Sequence, residues 1–154
     1  MSAGREHAVD VPLTERTGFL ANKVGLLLLH AVEARLARLG LTSRTYFVLA
    51  AVDRDKPSSQ QDLSRLLGID PTTIVALVDQ LEQGGFVVRA RNPSDRRRYD
   101  LHLTPSGAAA LASAHEAMVA AESEFFAPLT ADELRAYHSF LRRLLRDRWP
   151  PRQT

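Results

Sequence analysis

The stretch SQQDLSRLLGIDPTTIVALVDQLEQGG, running from Ser59 to Gly85, decides the fold. Ser59 is placed to cap a short helix, with Asp62 at the position where a capping box more often carries Glu or Gln. Leu63, Leu66 and Leu67 supply that helix's apolar face, and Gly68 breaks it. Asp70 then caps a second helix with Pro71 at its first position, where a missing N–H costs nothing. Ile74, Leu77, Val78 and Leu81 fall at i, i+3, i+4 and i+7, the stripe of a helix with one buried side. Gly84 and Gly85 end it. Two short helices joined by the turn Gly68-Ile69-Asp70 have the pattern of a helix-turn-helix. In that unit the second helix enters a DNA major groove and the first braces it.

Working outward, the next segment supports that reading. Phe86 to Arg91 reads as a Val-rich strand, and Asn92-Pro93-Ser94-Asp95 is strong turn chemistry. Tyr99, Leu101 and Leu103 then alternate with Arg98, Asp100 and His102, the period of a half-buried strand. The hairpin so formed makes the unit a winged helix. Its ten residues from Arg89 to Arg98 carry Arg89, Arg91, Arg96, Arg97 and Arg98 against Asp95, +4 in a chain whose formal total is +2. Such Arg clusters also occur as plain solvated loops. Behind a helix-turn-helix, a guanidinium-rich tip suits phosphate contacts and insertion into a minor groove.

The flanks read as helix. Leu13 to Leu39 is a long stretch in which Phe19, Lys23, Leu26, Leu27, His30, Glu33 and Leu36 follow the helical period, with Gly40 as its cap. A helix from about Thr42 to Asp53 follows, with Tyr46, Leu49 and Val52 as its buried stripe, and Arg54 to Pro57 forms a loop. After the hairpin, Thr104 caps an alanine-rich helix that ends near Pro128. Thr130 caps the last one, with Glu133 completing a capping box and Pro150 closing it. The expected order is α-α-α-α-β-β-α-α, a mainly helical chain. Residues 1–12 read as a flexible arm and 150–154 as a tail.

Composition bounds the function. The 154 residues are 45% apolar and 25% charged, which suits one globular domain with a core. The longest apolar run, Val24 to Leu29, is far short of the roughly 20 residues that cross a bilayer. Arg5, Glu6 and Asp10 near the start, without a hydrophobic core, argue against secretion, so the expectation is a cytoplasmic protein. There is no Cys, which excludes disulfides, thiolate metal sites and thiol redox sensing. His7, His30, His102, His115 and His138 show no metal-ligand spacing, so neither a metal nor a cofactor is expected. No G-x-S-x-G, P-loop or H-E-x-x-H occurs, so an enzyme is not expected.

On the second helix of the unit, Thr72 and Thr73 sit where hydroxyls and backbone N–H groups can meet phosphate. Val75 and Ala76 could touch thymine methyl groups, and Gln80 could read a base edge. At this point the chain resembles the MarR family of transcriptional regulators. The matching pieces are Ser59-Gln60-Gln61-Asp62-Leu63-Ser64, Gly68-Ile69 before Thr72-Thr73-Ile74, Leu77 to Glu82, and Gly85-Phe86-Val87 with Arg89. The most specific is Asp95-Arg96-Arg97 followed by Leu101-His102-Leu103-Thr104 and Gly107, which matches the family's D-R-R … L-T-x-x-G wing pattern. One departure is that Val75 and Ala76 are apolar where many relatives carry a hydroxyl residue and a basic one.

The resemblance implies a homodimeric repressor on a palindromic duplex operator, released by a small phenolic or anionic effector, with no membrane partner. A winged-helix interaction or architectural module without operator specificity is the alternative. The implied DNA contacts are Ser59, Gln60, Thr72, Thr73, Val75, Ala76, Gln80, Arg89, Arg91, Arg96, Arg97 and Arg98. Residues 41–104 would form the DNA-binding domain, and 13–40 with 105–149 the dimerisation region. Phe19, Leu27, Leu141, Leu144, Leu145 and Trp149 would lie between subunits. An effector would sit between the two regions, where His30, Tyr46, Phe47 and His115 are the candidates.

Overall fold

A computed structural model describes residues 12–55, 59–95, 99–146 and 148–149. Its elements are α1 (Thr17–Leu36), α2 (Ser43–Asp55), α3 (Gln60–Leu67), α4 (Pro71–Gln83), β1 (Val87–Arg91), β2 (Tyr99–Leu103), α5 (Pro105–Phe125) and α6 (Ala131–Leu145). The expected α-α-α-α-β-β-α-α order holds. β1 and β2 pair antiparallel, with Val87 opposite Leu103, Arg89 opposite Leu101 and Arg91 opposite Tyr99. Residues 1–11 of the expected arm, the loop residues Lys56 and Pro57, the wing-tip residues Arg96, Arg97 and Arg98, and the tail lie outside the described residues.

One core holds the winged unit. Val48, Leu49 and Val52 of α2, Leu63 of α3, and Ile74, Val78 and Leu81 of α4 are buried together with Val87 and Leu101 of the hairpin. α1 enters that core through Val32 and Leu36, and α5 through Ala114 and Ala121. The small side chains of α5 let its backbone come close, so α1 and α5 pack along one another. An ion pair between Arg35 and Glu124 joins the same two helices at the surface.

The first helix departs from the sequence reading. Leu13–Glu15 and Ala37–Leu39 are 3₁₀ turns that flank the α-helix, and Gly40 closes it at φ 70°. The stripe is also different. Val32 and Leu36 are buried with Leu28 against them, whereas Leu26, Leu27 and His30 are exposed and Glu33 is half-buried. Helix α1 has apolar residues on both sides, so periodicity alone does not choose the side that faces the core.

α2 begins at Ser43 and runs on to Asp55. Its start is held from another helix. The Glu33 carboxylate accepts the Ser43 backbone N–H at 3.0 Å and the Ser43 hydroxyl at 2.5 Å. This places a negative charge at the positive end of α2. Leu66, expected on the apolar face of α3, is exposed, and α5 stops at Phe125, just short of Pro128.

Candidate nucleic-acid interface

The helix-turn-helix is held by side chains that close its own turn. Ser59 accepts the Asp62 N–H at 3.1 Å and so caps α3. Gly68 takes φ 62°, and the buried Ser64 hydroxyl donates to the Ile69 carbonyl at 2.6 Å. Asp70 caps α4 by accepting the Thr73 N–H at 2.8 Å and the Thr73 hydroxyl at 2.5 Å. These bonds, the hydroxyl's first, hold the Asp70 carboxyl below its ordinary range. The Thr73 hydroxyl proton is thus spent on the cap, and its backbone N–H with it.

With Ile74, Val78 and Leu81 buried, α4 turns Thr72, Val75, Ala76 and Gln80 to solvent. Gln60, at the start of α3, is half-buried. Four of the expected base- or phosphate-contacting groups therefore share one exposed helix surface.

The wing is fastened to the body at its base. The Thr104 hydroxyl donates to the Gly85 carbonyl at 2.6 Å and accepts the Gly107 N–H at 2.9 Å, while the Thr104 N–H bonds the Phe86 carbonyl at 3.0 Å. A Cβ on Gly107 would lie 1.9 Å from that same carbonyl oxygen. The T-x-x-G part of the wing pattern is therefore a seam between the hairpin and α5. Farther out, the Asn92 amide donates to both Asp100 oxygens at 3.0 and 3.1 Å, and its own oxygen accepts the Ser94 and Asp95 N–H groups. Asn92 thus shapes the turn that carries the basic tip.

Arg91 is exposed, as a phosphate contact needs to be. Arg89 is not. Its guanidinium donates to Asp79 at 2.5 Å and also bonds Glu82, both on α4. Burial works against its charge, but the Asp79 hydrogen bond and the pull of both carboxylates raise its pKa above the usual guanidinium value. Arg89 therefore drops out of the free basic charge of the wing. Asp79 and Glu82 escaped the sequence reading as its partners. The signal was present, since carboxylates at i and i+3 on a helix share a side.

Two effector candidates meet. The Tyr46 hydroxyl and His115 Nδ1 are 3.2 Å apart, bridging α2 and α5. Burial and the nearby Glu122 carboxylate raise the Tyr46 pKa. Phe47 is exposed beside Tyr46, with ring centroids 5.6 Å apart. His30, the remaining candidate, which follows the helical period of α1, is exposed, because the core takes the opposite side of that helix. Of the intersubunit candidates, Phe19 is half-buried while Leu27, Leu141, Leu144, Leu145 and Trp149 are exposed.

The comparisons with known proteins agree with this geometry. Residues 39–98 match the model of the MarR family. The chain is 37% identical over 107 residues to a protein of Thauera aromatica named as regulatory for the hcr operon, covering 70% of this chain and 64% of that one. It is 31% identical over 137 residues to the HTH-type transcriptional repressor Mb2911 of Mycobacterium bovis, covering 89% of this chain and 96% of the repressor. Among solved structures, the transcriptional repressor CouR bound to a 23-mer DNA duplex aligns at TM-score 0.80 and 32% identity, over 86% of this chain and 94% of that one. CouR from Rhodococcus jostii RHA1 bound to p-coumaroyl-CoA aligns at TM-score 0.76 and 31% identity, over 93% and 99%. A winged helix-turn-helix with this wing pattern, matched along nearly its whole length by such relatives, belongs to the MarR family of transcriptional regulators.

Proposed function

We propose that the chain acts as a homodimer that binds a palindromic duplex operator, represses transcription there, and leaves it when a small effector binds. The observation that carries this reading is the surface of α4. Two caps and a buried stripe hold the helix, and Thr72, Val75, Ala76 and Gln80 stand free on its outer side, beside the Arg-bearing hairpin. Residues 41–104 form the DNA-reading domain. Val75 and Ala76 meet thymine methyl groups, Gln80 reads a base edge, and Arg91, Arg96, Arg97 and Arg98 hold phosphates or enter the minor groove.

Dimerisation through 13–40 and 105–149 is supported by α6, which buries no residue of its own. Two-fold symmetry of the protein then calls for a palindrome. The effector reading is supported by the Tyr46–His115 contact between the DNA-reading domain and α5, and by the aromatic pair Tyr46 and Phe47. A small phenolic or anionic molecule there would bias the angle between the regions and so the spacing of the two reading heads.

The test is a duplex selected from a random library with the wild-type protein. Replacing Arg96 and Arg97 with Ala should abolish binding while the dimer persists, and binding should fall steeply with salt, by ~0.9 in log K per phosphate contact. Unchanged binding by that variant sinks the reading. Equal affinity for unrelated duplexes would favour an architectural module without operator specificity.

A further inference from the structure

Arg89 stands out among the basic residues of the wing because it faces inward. Strand parity explains this. Val87, Arg89 and Arg91 share one side of β1, and that side meets the core at Val87. Arg89 is opposite Leu101, itself buried, so the two point the same way. The Arg89 side chain retains 23% of its exposure, while the next residue on that side, Arg91, is exposed. The stem thus runs along the core and its head reaches α4, where one nitrogen bonds Asp79 and the other bonds Glu82.

The charge of α4 gives this contact its meaning. Residues 71–83 hold Asp79 and Glu82 and no Lys or Arg. A helix of charge −2 laid between two phosphate backbones is repelled by them unless a cation answers it. Across residues 79–98 the five arginines face Asp79, Glu82 and Asp95, which leaves +2, half of the +4 counted over residues 89–98 alone. The guanidinium fork also ties two elements that must contact DNA at a fixed offset, the helix in the major groove and the hairpin beside it.

We infer that Arg89 is a positioning residue: it locks the wing to the recognition helix and neutralises the helix's two carboxylates, so that base reading and phosphate contact stay in register. The inference rests on the operator-binding reading above. It assigns Arg89 no contact with DNA.

The experiment measures affinity for a duplex selected from a random library and for its scrambled version, across a salt series, with the melting temperature of each variant alongside. The double variant D79N/E82Q should lower the selected-over-scrambled ratio at least tenfold. It should leave scrambled-duplex affinity unchanged or raised, since two negative charges have gone. R89Q should lower the ratio to a similar degree with little change in salt slope. R89K should recover only part of it, because an ammonium cannot fork to two carboxylates.

A phosphate contact predicts the opposite: R89Q would lose ~0.9 of the salt slope at unchanged ratio, and D79N/E82Q would tighten both duplexes alike. Either result overturns the inference. D79N and E82Q as single variants each keep one anchor, and their intermediate ratios carry the test if the double variant does not fold. If the wild type draws no preferred duplex from the library, the operator reading fails and takes the inference with it. If the wild type selects one and D79N/E82Q discriminates as well, the inference alone fails.

Discussion

Helices α4 and α6 begin by the same local rules and end in opposite situations. Asp70 caps α4 through Thr73, and Thr130 caps α6 in a full capping box with Glu133. Both carry an apolar stripe. In α4 that stripe disappears into the core as Ile74, Val78 and Leu81. In α6 it stays bare, with Phe140, Leu144 and the following Trp149 each more than half exposed. Helix α1 lies between these cases, one side packed through Val32 and Leu36 and the other open at Leu26, Leu27 and Leu29. Caps and periodicity make a helix. Whether its stripe is covered depends on what the rest of the chain can supply. The winged unit completes its core within the chain, while most of the stripe of α6 is left uncovered by the described residues.

The largest effect that separates the two regions is expected at the seam of the winged unit. Gly107→Val would drive a branched side chain into the Phe86 carbonyl, which already accepts the Thr104 N–H. The chain there is pinned by that bond and by the Thr104 hydroxyl, so it has little room to give. A loss of about 3 kcal/mol is expected, the upper end of overpacking costs. Urea unfolding should show it equally at low and high protein concentration, since the fault lies inside one chain. An unaltered midpoint would mean that the wing is not seated as described.

Leu144→Asp probes the other region. On an interface it should cost about 2 kcal/mol or more of association, roughly thirtyfold in the dimer constant. Helix α6 itself should still form. Sedimentation would show dissociation, and the melting temperature at a given protein concentration would fall below that of the wild type, as linkage requires. If the variant neither dissociates nor changes its melting, the bare stripe of α6 is not a subunit interface.

Ser64→Ala returns to the winged unit with a smaller lesion. The Ser64 hydroxyl is fully buried and answers the Ile69 carbonyl in the turn between α3 and α4. Its loss leaves that acceptor unpaired at about 1–2 kcal/mol. Because the turn sets the angle of α4, operator affinity should fall by more than the few unfolded molecules account for. Comparing DNA binding with circular-dichroism melting on the same samples checks this.

The winged unit was largely legible in the sequence because its signals are local. Ser59, Asp70, Thr104 and Thr130 are all read as caps and all act as caps. The stripe of α4 is right because Ile74, Val78 and Leu81 share one side, while Thr72, Gln80 and Gln83 mark the other and leave Val75 and Ala76 too few to compete. The stripe of α1 is right at Leu36 but wrong at Leu26, Leu27 and His30, because both sides of that helix are apolar and the choice between them is made by α5, far away in the chain. The same limit hid the inward turn of Arg89. As a residue type it belongs to the basic wing. Only the packing of β1 against α4 reveals that its charge is already answered. Glu33 is the third case: its bond to Ser43 links residues ten apart across a helix end, and helical periodicity has no term for it.

The smallest effect sharpens the comparison at its origin, the cap of α6. The Glu133 carboxylate accepts the Thr130 N–H at 2.8 Å and the Thr130 hydroxyl at 2.9 Å, the N–H bond mattering more, and both hold its pKa below the ordinary value. A depressed carboxyl pKa stabilises the fold above the ordinary carboxylate range, and the gain disappears as pH falls through the folded value. Thr130→Ala should cost about 1 kcal/mol at neutral pH. Glu133→Gln should remove the part of the cap that acid removes, so acid should no longer loosen α6 through this cap. If α6 is held by a partner stripe, these losses register in dimer melting only to the extent that the helix frays at its start. Hydrogen exchange of the amides at 131–134, followed with falling pH in wild type and Glu133→Gln, separates fraying at the cap from opening of the dimer. Exchange that rises in the first turn alone leaves the interface intact, whereas exchange that rises along the whole of α6 means that the cap and the interface open together.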